Sequence, residues 1–402
     1  RVASVTYEEE DDGHTNTYES ASHYSYDIHG NVNKLVQEFE FRLGYRLSKT
    51  IDYTYDLING NVKEVAYQAG AVDQFYHRYY YGAHGKLQEV ETSKDGANFS
   101  REAKYFYYDH GALARVELGK NQLQGIDYAY NIHGWLKAIN KPLENDEVGL
   151  NAHFPQNEFS LALIYYSGDY NSIDGNDYLT GSGLFLSYND LYNGNISYKK
   201  IKDPLAYTET SYSYDQLNRL KDMSTRLKID YYLSFENIYF NSYAYDPNGN
   251  ISKLSRESIG TFGFNIFDDL SYKYDYTNEK ANQLNWVEDA AASIENSGDN
   301  TYDDVTNQVP NNYAYNKLGQ LTKDESAFIS EIVWTSSGKV KEIIRQVGST
   351  LSDLEFSYNS NGDRICKIVK DKDSSGNLVS PKHWDYHHYV RDASGNTMAT
   401  YT

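Results

Sequence analysis

One cysteine in 402 residues leaves no partner for an internal disulfide and no thiolate set for a structural zinc. Basic residues are also scarce: 37 Lys and Arg stand against 57 Asp and Glu, a formal net charge of −20. A duplex nucleic-acid binder draws its affinity from neutralising phosphates with Lys and Arg, so no nucleic-acid partner is expected. No run approaches the roughly 18 uninterrupted apolar residues of a membrane helix, so no membrane span is expected. Helical signal is sparse, and its best stretch, 279–294, lacks a clean apolar stripe. No charged-then-apolar leader opens the chain, and the expectation is an excerpt of a longer polypeptide.

What the sequence has in excess is tyrosine, 42 residues in a chain whose aromatic content reaches 15%. That load excludes a disordered chain that avoids burial. The tyrosines are also patterned. The fullest phrase is Tyr243-Ala-Tyr245-Asp246-Pro247-Asn248-Gly249-Asn250-Ile251. It returns as Tyr24-x-Tyr26-Asp27-x-x-Gly30-x-Val32, as Tyr128-x-Tyr130-Asn131-x-x-Gly134-x-Leu136, and as Tyr212-x-Tyr214-Asp215-x-x-Asn218-x-Leu220. Further copies are Tyr313-x-Tyr315-Asn316-x-x-Gly319-x-Leu321, Phe356-x-Tyr358-Asn359-x-x-Gly362 and Ile332-x-Trp334-Thr335-x-x-Gly338-x-Val340. Looser ones sit at Tyr53-x-Tyr55-Asp56, Tyr79-x-Tyr81, Phe106-x-Tyr108-Asp109, Tyr272-x-Tyr274-Asp275 and Asp392-x-x-Gly395.

The phrase reads as a hairpin tip. Tyr-x-Tyr has period 2, which places both rings on one face of a strand. Asp or Asn first, Pro second and Gly fourth are the preferences of a type I turn, and a left-handed residue after such a turn gives a common bulged hairpin. Asn218 fits the glycine position because Asn tolerates the left-handed region. The aliphatic residue two past the Gly then begins the return strand. Copies recur every 22 to 31 residues, from Tyr26 through Tyr55, Tyr81 and Tyr108 to Tyr130, and again from Tyr188 to Tyr274. That step holds about two strands of ten residues with their turns. A propeller wants four strands every ~40–45 residues and a Trp-Asp signature, which are missing. The expected fold is therefore all-β, an array of antiparallel β-hairpins over 1–402, with insertion-like loops near 141–185 and 286–310.

These phrases resemble the YD repeats of RHS proteins, a family related to the shell components of ABC-type insecticidal toxin complexes and to the teneurin barrel. Asn131-Ile-His-Gly-Trp-Leu-Lys137, Tyr192-Asn-Gly-Asn-Ile196 and Tyr358-Asn-Ser-Asn-Gly-Asp-Arg364 strengthen the likeness. The resemblance implies a long sheet that spirals into a hollow shell or barrel, a part of a much larger secreted or cell-surface bacterial polypeptide. It implies as partners the rest of that chain, including a C-terminal toxin cargo, and secretion machinery. Tyr389-Val-Arg-Asp-Ala-Ser-Gly395-Asn-Thr-Met398 resembles the approach to the family's closing core region. Asp246-Pro247-x-Gly249 follows Tyr243-x-Tyr245 and reads as a turn rather than a cleavage motif, so no residue is assigned autoproteolysis.

Other chemistry is weaker. His383, Asp385 and His387 could share a metal on a helix, but the surrounding pattern is strand-like and lacks His-Glu-x-x-His. Asp169, Asn171, Asp174, Asn176 and Asp177 are oxygen-rich, yet Ile173 breaks the EF-hand register. Gly181-Ser-Gly183 lacks the third glycine of a dinucleotide loop, and Cys366 sits in an alternating strand as a structural thiol. The expectation is a non-enzymatic shell segment without metal or cofactor. Its rivals are an adhesion or carbohydrate-binding module that uses Tyr-rich faces, and a metal-dependent hydrolase built on His383, Asp385 and His387.

Overall fold

A computed structural model of the chain describes residues 1–7, 20–41, 45–121, 123–140, 159–171, 189–228, 235–260, 263–276, 280–291 and 308–402. Among them the secondary structure is 27 β-strands and one 3₁₀ turn, Pro381–His383, so the fold is all-β. The strands form a 19-stranded and an 8-stranded antiparallel sheet. The ladder registers join neighbours in sequence, hairpin after hairpin.

The repeat phrase sets the local geometry. In the hairpin of Phe235–Tyr245 and Ile251–Gly260, the Asp246 N–H donates to Asn250 O at 2.9 Å and the Gly249 N–H to Asp246 O at 3.1 Å. Gly249 has φ +93°, a backbone region that a residue with a Cβ enters only at a cost. Past the turn, Tyr245 opposes Ile251 but Ala244 opposes Lys253, so Ser252 is an unpaired bulge residue. The same slip follows Tyr26, Tyr55, Tyr81, Tyr130, Tyr214, Tyr315, Trp334 and Tyr358. A bulge adds local twist and re-aims the side chain beside it.

The chain divides into two compact units, one of Arg1–Glu102 with Tyr313–Thr402 and the other of Ala103–Asn312. In the first, a cross-strand row runs Tyr24–Leu35–Ile51–Tyr67–Phe75 over five strands. Leu35, Phe39, Ile51, Val65 and Tyr67 are buried, and Val390, fully buried, packs on them from the Asp385–Arg391 strand. Met398, Ala399 and Tyr401 of the Thr397–Tyr401 strand complete that contact. Polar groups fasten it: Arg391 N–H to Gln37 Oε1 at 3.1 Å and Ala393 N–H to the Tyr53 hydroxyl at 2.8 Å. The Tyr401 hydroxyl donates to Asp73, shares a hydrogen bond with Tyr67, and its ring lies 4.2 Å from Lys49 Nζ, itself 2.5 Å from Asp73. The last hairpin thus closes this unit on the first ones. This return contact is why residues so distant in sequence share one unit of a chain expected to be a single array.

The second unit buries charge as well as apolar groups. Ala162, Ile164 and Tyr198 are fully enclosed, and so are two ion pairs, Lys137–Asp169 at 2.6 Å and Lys200–Glu209 at 3.6 Å. Asp169 also accepts the Tyr165 N–H at 3.0 Å, which helps offset the desolvation of its carboxylate. Strand Ser160–Ile164 lies inside the segment 141–185 expected to be an insertion; it pairs on both sides and belongs to the ladder. Residues 279–294 are not helical where described, since Lys280–Asp289 is a strand paired with Gly263–Asp275.

Candidate functional site

The edge formed by the repeat tips is where the sequence concentrates its unusual residues. Asp27, Asp215, Asp246 and Asp392 each turn Oδ1 onto the backbone N–H four residues on, at 2.8 to 2.9 Å. Asn131, Asn316 and Asn359 do the same through their amide oxygens. The fourth residue of each turn has positive φ: Gly30, Gly134, Gly249, Gly319, Gly362 and Gly395, and Asn218 at +62°. Backbone N–H donors hold several turn carboxyls below the ordinary aspartate range, led by Arg219 N–H at Asp215, Ile58 N–H at Asp56 and Asn377 N–H at Asp373. These carboxylates spend their lone pairs on their own turns. They are poor candidates for acid–base work.

In many copies the second aromatic reaches to the neighbouring hairpin. Tyr55 donates its hydroxyl to Val32 O at 2.8 Å, where Val32 is the aliphatic residue two past Gly30 in the preceding hairpin. The same bond links Tyr214 to Ile196, Tyr245 to Leu220, Tyr274 to Ile251 and Tyr358 to Val340, at 2.7 to 2.9 Å. Trp334 makes it through Nε1 to Leu321 O at 2.8 Å, and Arg391 through Nε to Arg364 O at 3.1 Å. The two rings of a pair lie side by side: Tyr24 and Tyr26 stack at 6.4 Å, Tyr53 and Tyr55 at 6.5 Å. Tyr128, Tyr130, Tyr212, Tyr243, Tyr313 and Tyr315 occupy the corresponding strand ends. Tips also touch directly, Asn193 Nδ2 to Asn218 Oδ1 at 2.8 Å and Tyr276 hydroxyl to Asp246 Oδ2 at 3.0 Å.

Some sequence assignments shift. The copy read as Phe106-x-Tyr108-Asp109 is displaced by one residue: Tyr107 ends the strand, and Tyr108 takes the first turn position, accepting the Gly111 N–H at 2.8 Å. The turn after Tyr55 is one residue longer, with the Gly60 N–H on Asp56 O. His383 ends the 3₁₀ turn, while Asp385 and His387 lie on a strand paired with Arg364–Lys370. No group of three His, Cys, Asp or Glu suited to a metal ion occurs among the described residues. Asp169 is committed to Lys137, and Asp174, Asn176, Asp177 and Gly181-Ser-Gly183 lie outside the described residues. Cys366 is buried, which pushes its thiol pKa up to about 12. The contacts made by Gln37, Lys49, Asp73, Tyr67 and Tyr401 had no sequence signal.

Comparison with solved structures gives the same architecture. The crystal structure of TcdB2-TccC3-Cdc42 aligns with a TM-score of 0.57 at 15% identity over 92% of this chain and 16% of that one. TcdB2-TccC3 aligns with a TM-score of 0.57 at 14% identity, over 92% and 17% respectively. A Photorhabdus luminescens Tc holotoxin pore matches at 14% identity with a TM-score of 0.47, over 95% and 19%. The chain thus spans about one sixth of the length of the first two, and the likeness is one of fold. No protein-family model matches the sequence, and no curated protein sequence matches it. No helix among the described residues is long and apolar enough to cross a membrane.

Proposed function

We propose that this chain is a non-enzymatic wall segment of a larger secreted or cell-surface bacterial protein of the RHS/YD-repeat class, part of a β-shell that encloses or presents a polypeptide cargo. The observation that carries this reading is the bond from the second aromatic of five copies, Tyr55, Tyr214, Tyr245, Tyr274 and Tyr358, to a return-strand carbonyl of the preceding hairpin. Such a device joins hairpins into a wall without needing a thick two-sided core. The fold likeness to TcdB2-TccC3 supports the same reading. A long sheet must also hide its unpaired edges, and closing round a lumen does so. Turn carboxylates and tip phenols engaged in hydrogen bonds fit a structural rather than a catalytic role. Limited proteolysis of the longer polypeptide tests this. The cargo region should resist protease while the repeats are intact and become sensitive once they are unfolded; cleavage at equal rates in both states contradicts enclosure.

A further inference from the structure

Lys137 is among the most enclosed large side chains of the described residues, and its partner is an aspartate enclosed as completely. Lys137 lies on the strand Leu136–Ile139, and Asp169 ends the turn that follows the strand Ser160–Ile164. Their side chains are 0% and 1% exposed, with Lys137 Nζ 2.6 Å from Asp169 Oδ1. The other carboxylate oxygen, Oδ2, accepts the Tyr165 N–H at 3.0 Å. Local bonds fix the turn. The Asp169 N–H donates to Tyr166 O at 3.2 Å, the Leu191 N–H to Tyr165 O at 2.7 Å, and the Tyr165 hydroxyl to Leu136 O at 2.9 Å.

Rings flank both groups. Where Asp215 pairs with Arg219 and Asp246 with Asn250, four residues on, Asn131 has Trp135. That indole lies 5.0 Å from Tyr165 and 4.7 Å from His133, and Tyr166 lies 4.5 Å from Tyr192. The amine and the carboxylate are thus held in contact and out of water.

We propose that Lys137 and Asp169 condense into an isopeptide bond, a covalent staple between the strand and the turn. Charges enclosed away from water are costly, and passing one proton from Nζ to Oδ1 leaves a neutral amine and a neutral acid. The Nζ lone pair then attacks Cγ, and the carbonyl π pair moves onto Oδ2. The Tyr165 N–H already donates to that oxygen and stabilises its developing charge. As the tetrahedral centre collapses, Oδ1 takes a second proton from Nζ and leaves as water. One Nζ–Cγ bond forms, one Cγ–Oδ1 bond breaks, and neither oxidant nor cofactor is consumed. Contact fixed by the fold supplies the proximity that a bimolecular condensation lacks.

The position suits a staple. Strand Leu136–Ile139 pairs with Ser160–Ile164 at two positions, Ala138–Ala162 and Ile139–Leu161. A bond spanning 32 positions, from Lys137 to Asp169, ties the sheet where its ladder is short. Lys200–Glu209 is enclosed as well but stands at 3.6 Å, and it remains an ion pair. The staple goes beyond the wall reading and does not depend on an enclosed cargo.

The test is the intact mass of the purified, denatured 402-residue chain, followed by peptide mapping. The expected chain is lighter than its sequence by one water, with Lys137 and Asp169 in one branched peptide that trypsin leaves uncut after Lys137. Lys137→Met should restore the full sequence mass; if that variant misfolds, the map of the unaltered chain decides alone. A chain at full sequence mass overturns the proposal. So does a water loss mapped elsewhere, such as a succinimide at Asp95-Gly96 or a bond between Lys200 and Glu209.

Discussion

The Tyr245 hydroxyl donates to Leu220 O at 2.7 Å, and its ring carries the Arg219 guanidinium 4.4 Å from the centroid. One side chain thus couples its own strand, the preceding return strand and the preceding tip. Removing only the oxygen isolates the first of these links. Tyr245→Phe is expected to cost about 0.5–1.5 kcal/mol, the net value of one such hydrogen bond, read as a lower urea midpoint at unchanged slope. Gly249 makes a different demand. The nearest atom to an added Cβ is Arg219 Nη1 at 3.9 Å, so space is ample and the constraint is φ alone. Gly249→Val should therefore destabilise by more than about 1 kcal/mol, whereas Gly249→Asn should cost less, because Asn218 already occupies this position at +62°. Equal thermal melting for both variants would refute that assignment of the cost.

At the scale of the hairpin, the turn carboxylates tie stability to acid. Asp215, Asp56 and Asp373 are held below the usual range chiefly by backbone N–H donors that exist only when the turn is formed. A depressed folded pKa means that the stabilisation is complete above the unfolded value, about 3.9, and is lost as pH falls from there through the folded value. The contribution of these turn carboxylates should be constant from neutrality down to about pH 5 and fall away below about 4, with Asp215→Asn reducing the acid dependence. Carbon-detected NMR titration of these carboxyls gives the folded values directly. The hairpin was also the element most legible in sequence, because Tyr-x-Tyr-Asp-x-x-Gly-x-Ile encodes strand, turn and bulge within nine adjacent residues. The copy at Tyr105–Gly111 was misread by one residue because four aromatics in succession, Tyr105 to Tyr108, blur the period-2 signal. The cluster around Trp135 stayed hidden for another reason. Its rings come from three segments separated by unequal stretches of sequence, and only the exchange of a polar residue for Trp135 marks it.

Across the molecule, the contacts that close the first unit join residues more than 300 positions apart, as with Tyr67 and Tyr401, and no local pattern specifies them. They do make a measurable prediction. Burial leads the effects that push the Tyr67 phenol up to about 12, and burial with the Asp73 carboxylate raises Tyr401 further. A raised folded pKa gives stability that is full below the unfolded value, about 10, and lost as pH climbs through the folded one. Hydrogen exchange in the Leu35–Ile51–Tyr67 row should hold steady to about pH 10, after correction for the intrinsic rate, and rise towards 12. Tyr401→Phe should lose much of that alkaline step; an unaltered profile would show that the last hairpin is not what closes the unit. On the proposed function, the aromatic-to-carbonyl bonds join these hairpins into the wall of an enclosure. Electron cryomicroscopy of the longer polypeptide tests it most directly. The predicted result is a continuous hairpin wall around a lumen holding polypeptide density, whereas an open sheet with no enclosed volume would contradict the account.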